Sequence, residues 1–343
     1  MEASMGLTLE DIAREANVSP STVSRVISNH PNISAATRKK VLKIMEKMNF
    51  QPNIVARSLA SNSTKTIGVV LASRTEGALR KAVQYPLFPD MLGGLSLAAY
   101  KNGYNILMSS LNKMDDDKQK IREMAKGGMT DGIIYFFSRV NDPIIEELKS
   151  LNSPFVVVGR PMNENEVNWV DNDNFSLSYK VTELLIKRGY KKIAFIGASP
   201  SFVITVDRLE GYKKALMDYS IPVEEDLIVK GRFMTDNGYE LMKGIFDKGI
   251  LPTGVVAQDD LIAFGVMKQI KERGLSVPED IAVVGFNNVP MSEFSTPSLT
   301  SVETNAFDVG AKACEMLLSC IKSSSNGFAR TIVPSELIIR GSV

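Results

Sequence analysis

Residues 7–41 read LTLEDIAREANVSPSTVSRVISNHPNISAATRKKV. Leu9, Ile12, Ala13 and Ala16 fall at i, i+3, i+4 and i+7 behind Thr8, a good N-cap, with Asp11 close to a capping-box position. After Asn17-Val18, Ser19 offers a second cap and Pro20 stands at the first helical position, where its missing N–H costs nothing. The helix it opens buries Val23, Val26 and Ile27. Ser34 opens a third helix carrying Val41, Ile44, Met45 and Met48. Two short helices joined by a tight turn, with a third behind them, predict an all-α helix-turn-helix bundle over residues 1–51. The following FQPNIVARSLASNST (50–64) holds about eight residues of helical pattern opened by Pro52, then a polar run from Ser61 to Thr64. So short a helix is marginal alone. Residues 52–65 are therefore expected to be a hinge helix and linker that folds when something packs against it.

The charge divides at the same place. Through Lys65 there are nine basic groups (Arg14, Arg25, Arg38, Lys39, Lys40, Lys43, Lys47, Arg57, Lys65) and five acidic ones (Glu2, Glu10, Asp11, Glu15, Glu46), a net of +4. The whole chain of 343 residues is +1, so the remainder carries −3. A small basic head on a mildly acidic body suits a protein that binds polyanions. Chance clustering on a solvated surface is the plainer alternative from charge alone.

Beyond Thr66 the pattern changes to alternating strand and helix. Apolar runs IGVVLA (67–72), YNILMSS (104–110), GIIYFF (132–137), FVVVG (155–159), KIAFIG (192–197), GVVA (254–257) and IAVVGF (281–286) read as buried parallel strands. Amphipathic segments such as Leu177–Lys187 and Leu261–Arg273 lie between them, stopped by Gly189 and Gly274. This repetition means α/β units with parallel sheets. About 275 residues is long for one such sheet, so two lobes with a cleft are expected. Ligands in such folds bind outside the carboxyl ends of the strands.

Composition narrows the chemistry. A single His (His30), read as a solvated loop residue, and cysteines only at Cys314 and Cys320 leave almost nothing for a metal site or a His-dependent triad. On one helix those cysteines would stand about 9 Å apart, beyond disulfide reach. No metal or cofactor is expected, and the reading is of a reduced, cytoplasmic chain. MEASMGLTLEDIAREA at the start contains no apolar run of signal-peptide type, and no stretch approaches a membrane span.

The head sequence, with FQPNIVARSLASNSTKTIGVVL (50–71) after it, strongly resembles the LacI/GalR family of bacterial transcription regulators. The resemblance continues through GLSLAAYKNGYNILM, DGIIYF, VDNDN, RGYKKIAFIG, RLEGYKKAL, VPEDIAVVGF, TPSLTSV and VPSELIIR, almost to the C-terminus. It implies a homodimer that binds double-stranded, pseudo-palindromic operator DNA. The core at 66–343 would resemble periplasmic sugar-binding proteins, with an N-lobe near 66–169 and 300–331 and a C-lobe near 170–299 and 332–343. Within the family, YPLFPDML, the DNDN after Trp169 and IAFIGASPSFVITVDRLEGY are similar to the maltose-operon repressor (MalR) branch. The implied function is a repressor of a maltose or maltodextrin operon, released from DNA by a small sugar effector.

Residue roles follow by position. Pro20 and Ser21 match the positions that choose operators, and Arg25 the base-reading arginine, whose planar fork suits guanine O6 and N7. Thr8, Ser24, Asn32, Ser34 and Thr37 match phosphate contacts, which position without specifying. For Thr8 and Ser34 plain helix capping is an equal reading. Thr22, Ser28 and Asn29 complete the expected DNA-facing set. In the hinge, Leu59 would wedge between central base steps in the minor groove, Ala56 would let two hinge helices approach, and Asn53 and Arg57 would meet the backbone.

For the effector, the resemblance implies Phe88, in the loop after the first strand, as a flat wall for a sugar, and Arg208 as the hydroxyl-binding arginine. It matches Gln258 and Asp259 to the polar pair after GVVA. Phe136 reads as cleft wall or core, Asp259 as ligand or helix cap, and Arg160 and Trp169 are further candidates. Asp171 reads as a brace at the lobe boundary. One departure stands out: many members carry VGFDD where this chain has VGFNN, so Asn287 trades an acceptor for an amide donor and loses charge. That disfavours a cationic effector. The C-terminal LIIRGSV also lacks the acidic residue that commonly follows its arginine.

Three rivals stand beside this reading. An enzyme would need a dinucleotide or phosphate-binding glycine motif or a partnered base, and neither pattern is in the sequence. An exported sugar-binding protein would leave the first 65 residues unexplained. A catabolite-control type regulator would use a phosphoprotein corepressor in place of a free sugar.

Overall fold

The computed structural model describes residues 7–28, 30–50, 63–71, 87–110, 114–231, 235–323 and 327–343. The proposed DNA contacts Asn29, Asn53, Ala56, Arg57 and Leu59 lie outside them, as does most of the expected hinge.

The head has three helices, α1 (Leu9–Ala16), α2 (Pro20–Ile27) and α3 (Ala35–Lys47). Thr8 and Asp11 form a complete capping box on α1, and Ser19 and Ser34 cap the other two. Each cap satisfies backbone N–H groups that would otherwise have no partner. The apolar stripes converge on a small core of Ile12, Ala13, Ala16, Val23, Val26, Val41 and Met45.

The core contains two six-stranded sheets among the described residues. The first is built from β1 (Thr66–Leu71), β2 (Asn105–Ser110), β3 (Gly132–Phe136), β4 (Phe155–Val158) and β5 (Trp169–Asp171), with helices α4 (Leu87–Lys101), α5 (Met114–Lys126) and α6 (Pro143–Ser150) between them. The second takes β6 (Ile193–Gly197), β7 (Ile228–Lys230), β8 (Gly254–Ala257), β9 (Ala282–Phe286) and β10 (Thr300–Glu303). Its helices are α7 (Asn174–Lys187), α8 (Val203–Asp218), α9 (Thr235–Asp247), α10 (Asp260–Glu272) and the short α11 (Met291–Phe294). The chain then returns with α12 (Ala306–Lys322) and β11 (Arg330–Ile332) to the first sheet, and crosses again to place β12 (Glu336–Ile338) in the second.

Strand order is β11-β5-β4-β3-β1-β2 in one sheet and β12-β10-β9-β8-β6-β7 in the other. All pairs are parallel except β10 with β12. Alternate residues of each strand face opposite layers, which is why the apolar runs are continuous. Ile67, Val69 and Leu71 meet α4 and α12, whereas Val70 meets the α5 and α6 layer.

The expected apolar runs all form strands. The second crossing comes later than expected: Thr300–Glu303 pairs with Ala282–Phe286, so it belongs to the second sheet and not to the N-lobe near 300. The chain also leaves the first sheet after Asp171, slightly later than the expected boundary at 169. Among the described residues no helix is long and apolar enough to cross a membrane.

Candidate functional site

In the head, Ser21, Arg25 and Ser28 are exposed and recur at i, i+4 and i+7 along α2 and its C-cap, opposite buried Val23 and Val26. Pro20 adds an exposed apolar edge at the same helix start. This stripe is narrow, polar and carries one long cation, the shape and chemistry that suit a major groove.

Around it the hydroxyls are locally engaged. Ser19 Oγ lies 2.8 Å from Ser21 Oγ and 2.9 Å from Thr22 Oγ1, and Ser28 Oγ donates to the Arg25 carbonyl at 3.3 Å. Thr8 Oγ1 donates to Asp11 at 2.8 Å, and Ser34 Oγ stands 2.8 Å from Thr37 Oγ1. Both Thr8 and Ser34 are thus caps, and both remain exposed. Ser24 is half-buried. Asn32 is exposed, its N–H reaching His30 Nδ1 at 3.3 Å. Arg38 fixes that turn by donating to the His30 carbonyl at 2.8 Å.

In the core, the carboxyl ends of the two sheets face the junction where the chain crosses between them. Arg208, on α8, is 2% exposed. Its Nε donates to Asn174 Oδ1 at 2.9 Å, Nη1 donates to the Gln258 carbonyl, and the guanidinium lies 4.0 Å from the Phe286 ring centroid. Gln258 is held in turn: its Oε1 accepts from Ala198 N at 2.7 Å and its Nε2 donates to Thr205 Oγ1 at 2.8 Å. The fork of Arg208 is therefore fixed in orientation before any ligand arrives.

Arg160 follows β4, and its Nε and Nη2 donate to the two oxygens of Asp207 at 2.9 and 2.5 Å. This bidentate pair joins the first lobe to α8 of the second. Beside it Val140 N donates to the Ser201 carbonyl at 2.9 Å, and Arg139 lies 4.5 Å from the Phe202 ring centroid. Asp171 sits at the boundary as expected of a brace, accepting from the N–H groups of Arg160 and Asn172, each at 2.7 Å. Burial pushes its pKa up to about 6, even though those hydrogen bonds and the charge of Arg208 pull the other way.

Two of the expected effector residues, Phe88 and Trp169, sit differently from expectation, and Phe136 and Asp259 each take one of their two expected readings. Phe88 lies in the first turn of α4, not in a loop, and is buried against Phe136 with ring centroids 5.5 Å apart, edge to face. Phe136 ends β3 as a core residue, continuous with Phe137 at 6.0 Å. Trp169 is a correction: its ring packs with Tyr135, Val157 and the α5 and α6 layer, and its Nε1 donates to the Glu164 carbonyl at 3.0 Å. An indole that large fills the far face of the sheet because position 169 points away from the α4 and α12 layer. Asp259 caps α10 by accepting from Ile262 N at 2.7 Å, the plainer of its two readings.

Asn287 is buried at φ 95 after β9, and its N–H donates to the Val302 carbonyl at 2.7 Å. Asparagine tolerates that left-handed backbone better than most residues. Asn288 bridges Glu303 and Arg340, at 2.9 and 2.7 Å, so the arginine of LIIRGSV pairs with an amide oxygen. Asn174, Thr205 and Asp207 were not singled out by the sequence reading. All three stand inside motifs quoted above, but only the folded chain brings Asn174 to Arg208, Thr205 to Gln258 and Asp207 to Arg160.

Residues 8–53 match the family model described as bacterial regulatory proteins, lacI family, and residues 182–343 match the periplasmic binding protein-like domain. Catabolite control protein A of Priestia megaterium is 32% identical, covering 98% of this chain and 99% of its own. The transcriptional regulator MalR of Streptococcus pneumoniae is 34% identical, covering 94% of this chain and 95% of its own. Among solved structures, the transcriptional regulator CelR–cellobiose complex aligns with a TM-score of 0.77 at 27% identity, covering 98% of this chain and 100% of that one.

Proposed function

The chain belongs to the LacI family of bacterial regulatory proteins and is a transcriptional regulator; from that premise we propose that it represses a maltose or maltodextrin operon and releases its operator when a sugar binds between the lobes. The observation that carries the sugar reading is Arg208, buried and held by Asn174 and Gln258 over Phe286. Fixed N–H donors beside aromatic rings suit a ligand with hydroxyls on its edge and C–H groups on its face. The cellobiose in the CelR complex and the MalR relative support a glycan of this class. Asn287 keeps that side of the site uncharged.

On the DNA side, Arg25 reads a guanine, Pro20 and Ser21 set the neighbouring base preference, and Thr8, Ser24, Asn32, Ser34 and Thr37 hold phosphates. Homodimerisation is supported by apolar side chains left exposed on α4 (Leu97, Tyr100), α12 (Phe307) and α11 (Met291, Phe294). Two heads on one duplex fit a pseudo-palindromic site.

Selection of DNA from random oligonucleotides by the full chain, with and without maltose, tests the reading. Titration calorimetry with maltose, maltotriose, cellobiose and glucose accompanies it. Recovery of a palindrome whose binding weakens with maltose is the expected result. If no sugar gives heat, while a phosphorylated carrier protein is retained on the immobilised chain, the reading passes to the catabolite-control type suggested by the Priestia relative.

A further inference from the structure

Asp131 immediately precedes β3, and its carboxylate accepts four hydrogen bonds from one short segment. Ser63 Oγ donates to Oδ2 at 2.5 Å, Thr64 N and Thr64 Oγ1 donate to Oδ1 at 2.6 and 2.7 Å, and Lys65 N donates to Oδ2 at 3.2 Å. Burial alone would raise this acid's pKa, but the four donors together hold it below the ordinary value. The backbone fastens the same point from both sides: Asp131 N donates to Thr66 O and Asn105 N to Lys65 O, each at 2.8 Å. Lys65 turns through φ 50 and lays its ammonium 4.6 Å from the Tyr104 ring centroid. Residues 63–65 are where the covalent path from the head enters the core.

The other end of β3 reaches the lobe junction. Its last residue is Phe136, and the loop beyond it makes the Val140–Ser201 and Arg139–Phe202 contacts with the second lobe. Asp142 stiffens that loop, accepting from Tyr135 OH at 2.8 Å and Arg139 N at 3.1 Å. A single central strand, roughly 16 Å long by its residue count, therefore runs from the lobe contact to the linker attachment. A buried strand paired on both sides moves as a rigid body with its sheet. What reaches the head depends on how stiffly residue 63 is tied to that strand.

We infer that Asp131 is a positioning residue that couples the lobes to the DNA head, by clamping Ser63, Thr64 and Lys65 to the amino end of β3. The coupling to a sugar rests on the function proposed above; the coupling to operator affinity does not. Donors converge on both carboxylate oxygens, so an amide in this place would turn an N–H toward another donor. Asp131→Asn should therefore release the clamp with almost no change in size, and Asp131→Glu should restore it in part. Ser63→Ala removes one of the four donors and should have a smaller effect.

The test uses the full chain and the operator recovered by selection. For Asp131→Asn we expect operator affinity without sugar to fall about tenfold, within the usual range for coupling between sites. Tryptic cutting in the linker should become faster, while the thermal midpoint and the heat of maltose binding stay those of the parent chain. Any response of operator affinity to maltose should shrink. Parent-like operator affinity and linker cleavage in Asp131→Asn would overturn the inference, and so would a loss of DNA binding matched by an equal loss of thermal stability. If the parent chain ignores maltose, the sugar reading fails alone, and the affinity and cleavage measurements still decide the role of Asp131.

Discussion

Arg208 and Asp260 are both buried and charged in form, yet physical chemistry assigns them opposite consequences. Arg208 satisfies two acceptors, so Arg208→Ala would strip Asn174 Oδ1 and the Gln258 carbonyl of a donor, at about 1–3 kcal/mol for each group left unpaired. Calorimetry with the sugar should then show no binding, and thermal unfolding should show a lower midpoint. Asp260 is fully buried at the start of α10, accepting from Ser301 Oγ, Ser292 Oγ and Val289 N at 2.6–2.8 Å. Burial nevertheless pushes its pKa up to about 7. Between about pH 4, the unfolded value, and about pH 7 the folded chain holds a proton that the unfolded chain has released. Stability from this group is thus complete at acid pH and is lost as pH rises through that window. The thermal midpoint should fall from pH 5.5 to 8, and Asp260→Asn should flatten the fall; an unchanged pH profile in that variant would count against the assignment.

At the scale of elements, the tightest demand lies where α4 and α12 cross. A Cβ on Gly310 would run into the Met91 carbonyl, and one on Gly94 into the Phe307 carbonyl, so the two helices approach backbone to backbone. Gly310→Ala must push them apart, at about 1–3 kcal/mol for an overpacked contact. A lowered thermal midpoint with unchanged DNA binding by the head is the expected outcome. The same scale shows why some elements were legible and others were not. Caps and apolar runs are local signals, and Thr8, Ser19, Ser34 and the seven strand runs announced themselves. Trp169–Asp171, Ile228–Lys230, Thr300–Glu303, Arg330–Ile332 and Glu336–Ile338 did not. Each has only three or four residues, and β11 and β12 are half exposed, so no apolar run marks them. They are strands because distant partners pair with them.

For the whole molecule, the uneven charge and the two-lobed core make separate predictions. A +4 head, doubled in the proposed dimer, should give operator affinity that falls steeply with salt, about a thousandfold or more between 50 and 200 mM if six or more phosphates are engaged. Anisotropy titrations at several salt concentrations measure that slope. A flat dependence would remove the phosphate assignments in the head. Across the lobes, Arg160→Ala breaks the pair with Asp207 and should leave the ligand-free core more open. Small-angle scattering should report a larger radius of gyration, and maltose affinity should drop several-fold because closure must then be driven by the ligand.

From the sequence alone one can read the basic head and acidic body, the capped helices, the succession of strand and helix, and the regulator family. Each of these is carried by residues within a few positions of one another, or by totals over the chain. Tertiary structure alone decided which distant side chains meet. Asn172 donates across the three crossings to Thr304 O, Val333 O and Ser335 Oγ. Arg160 finds Asp207, Asp131 finds the linker, and Trp169 turns into the core and away from the cleft. Periodicity reports which face of an element is apolar, but not which element will lie against it. That depends on the order of strands in the two sheets, and the order is set by packing the whole chain at once.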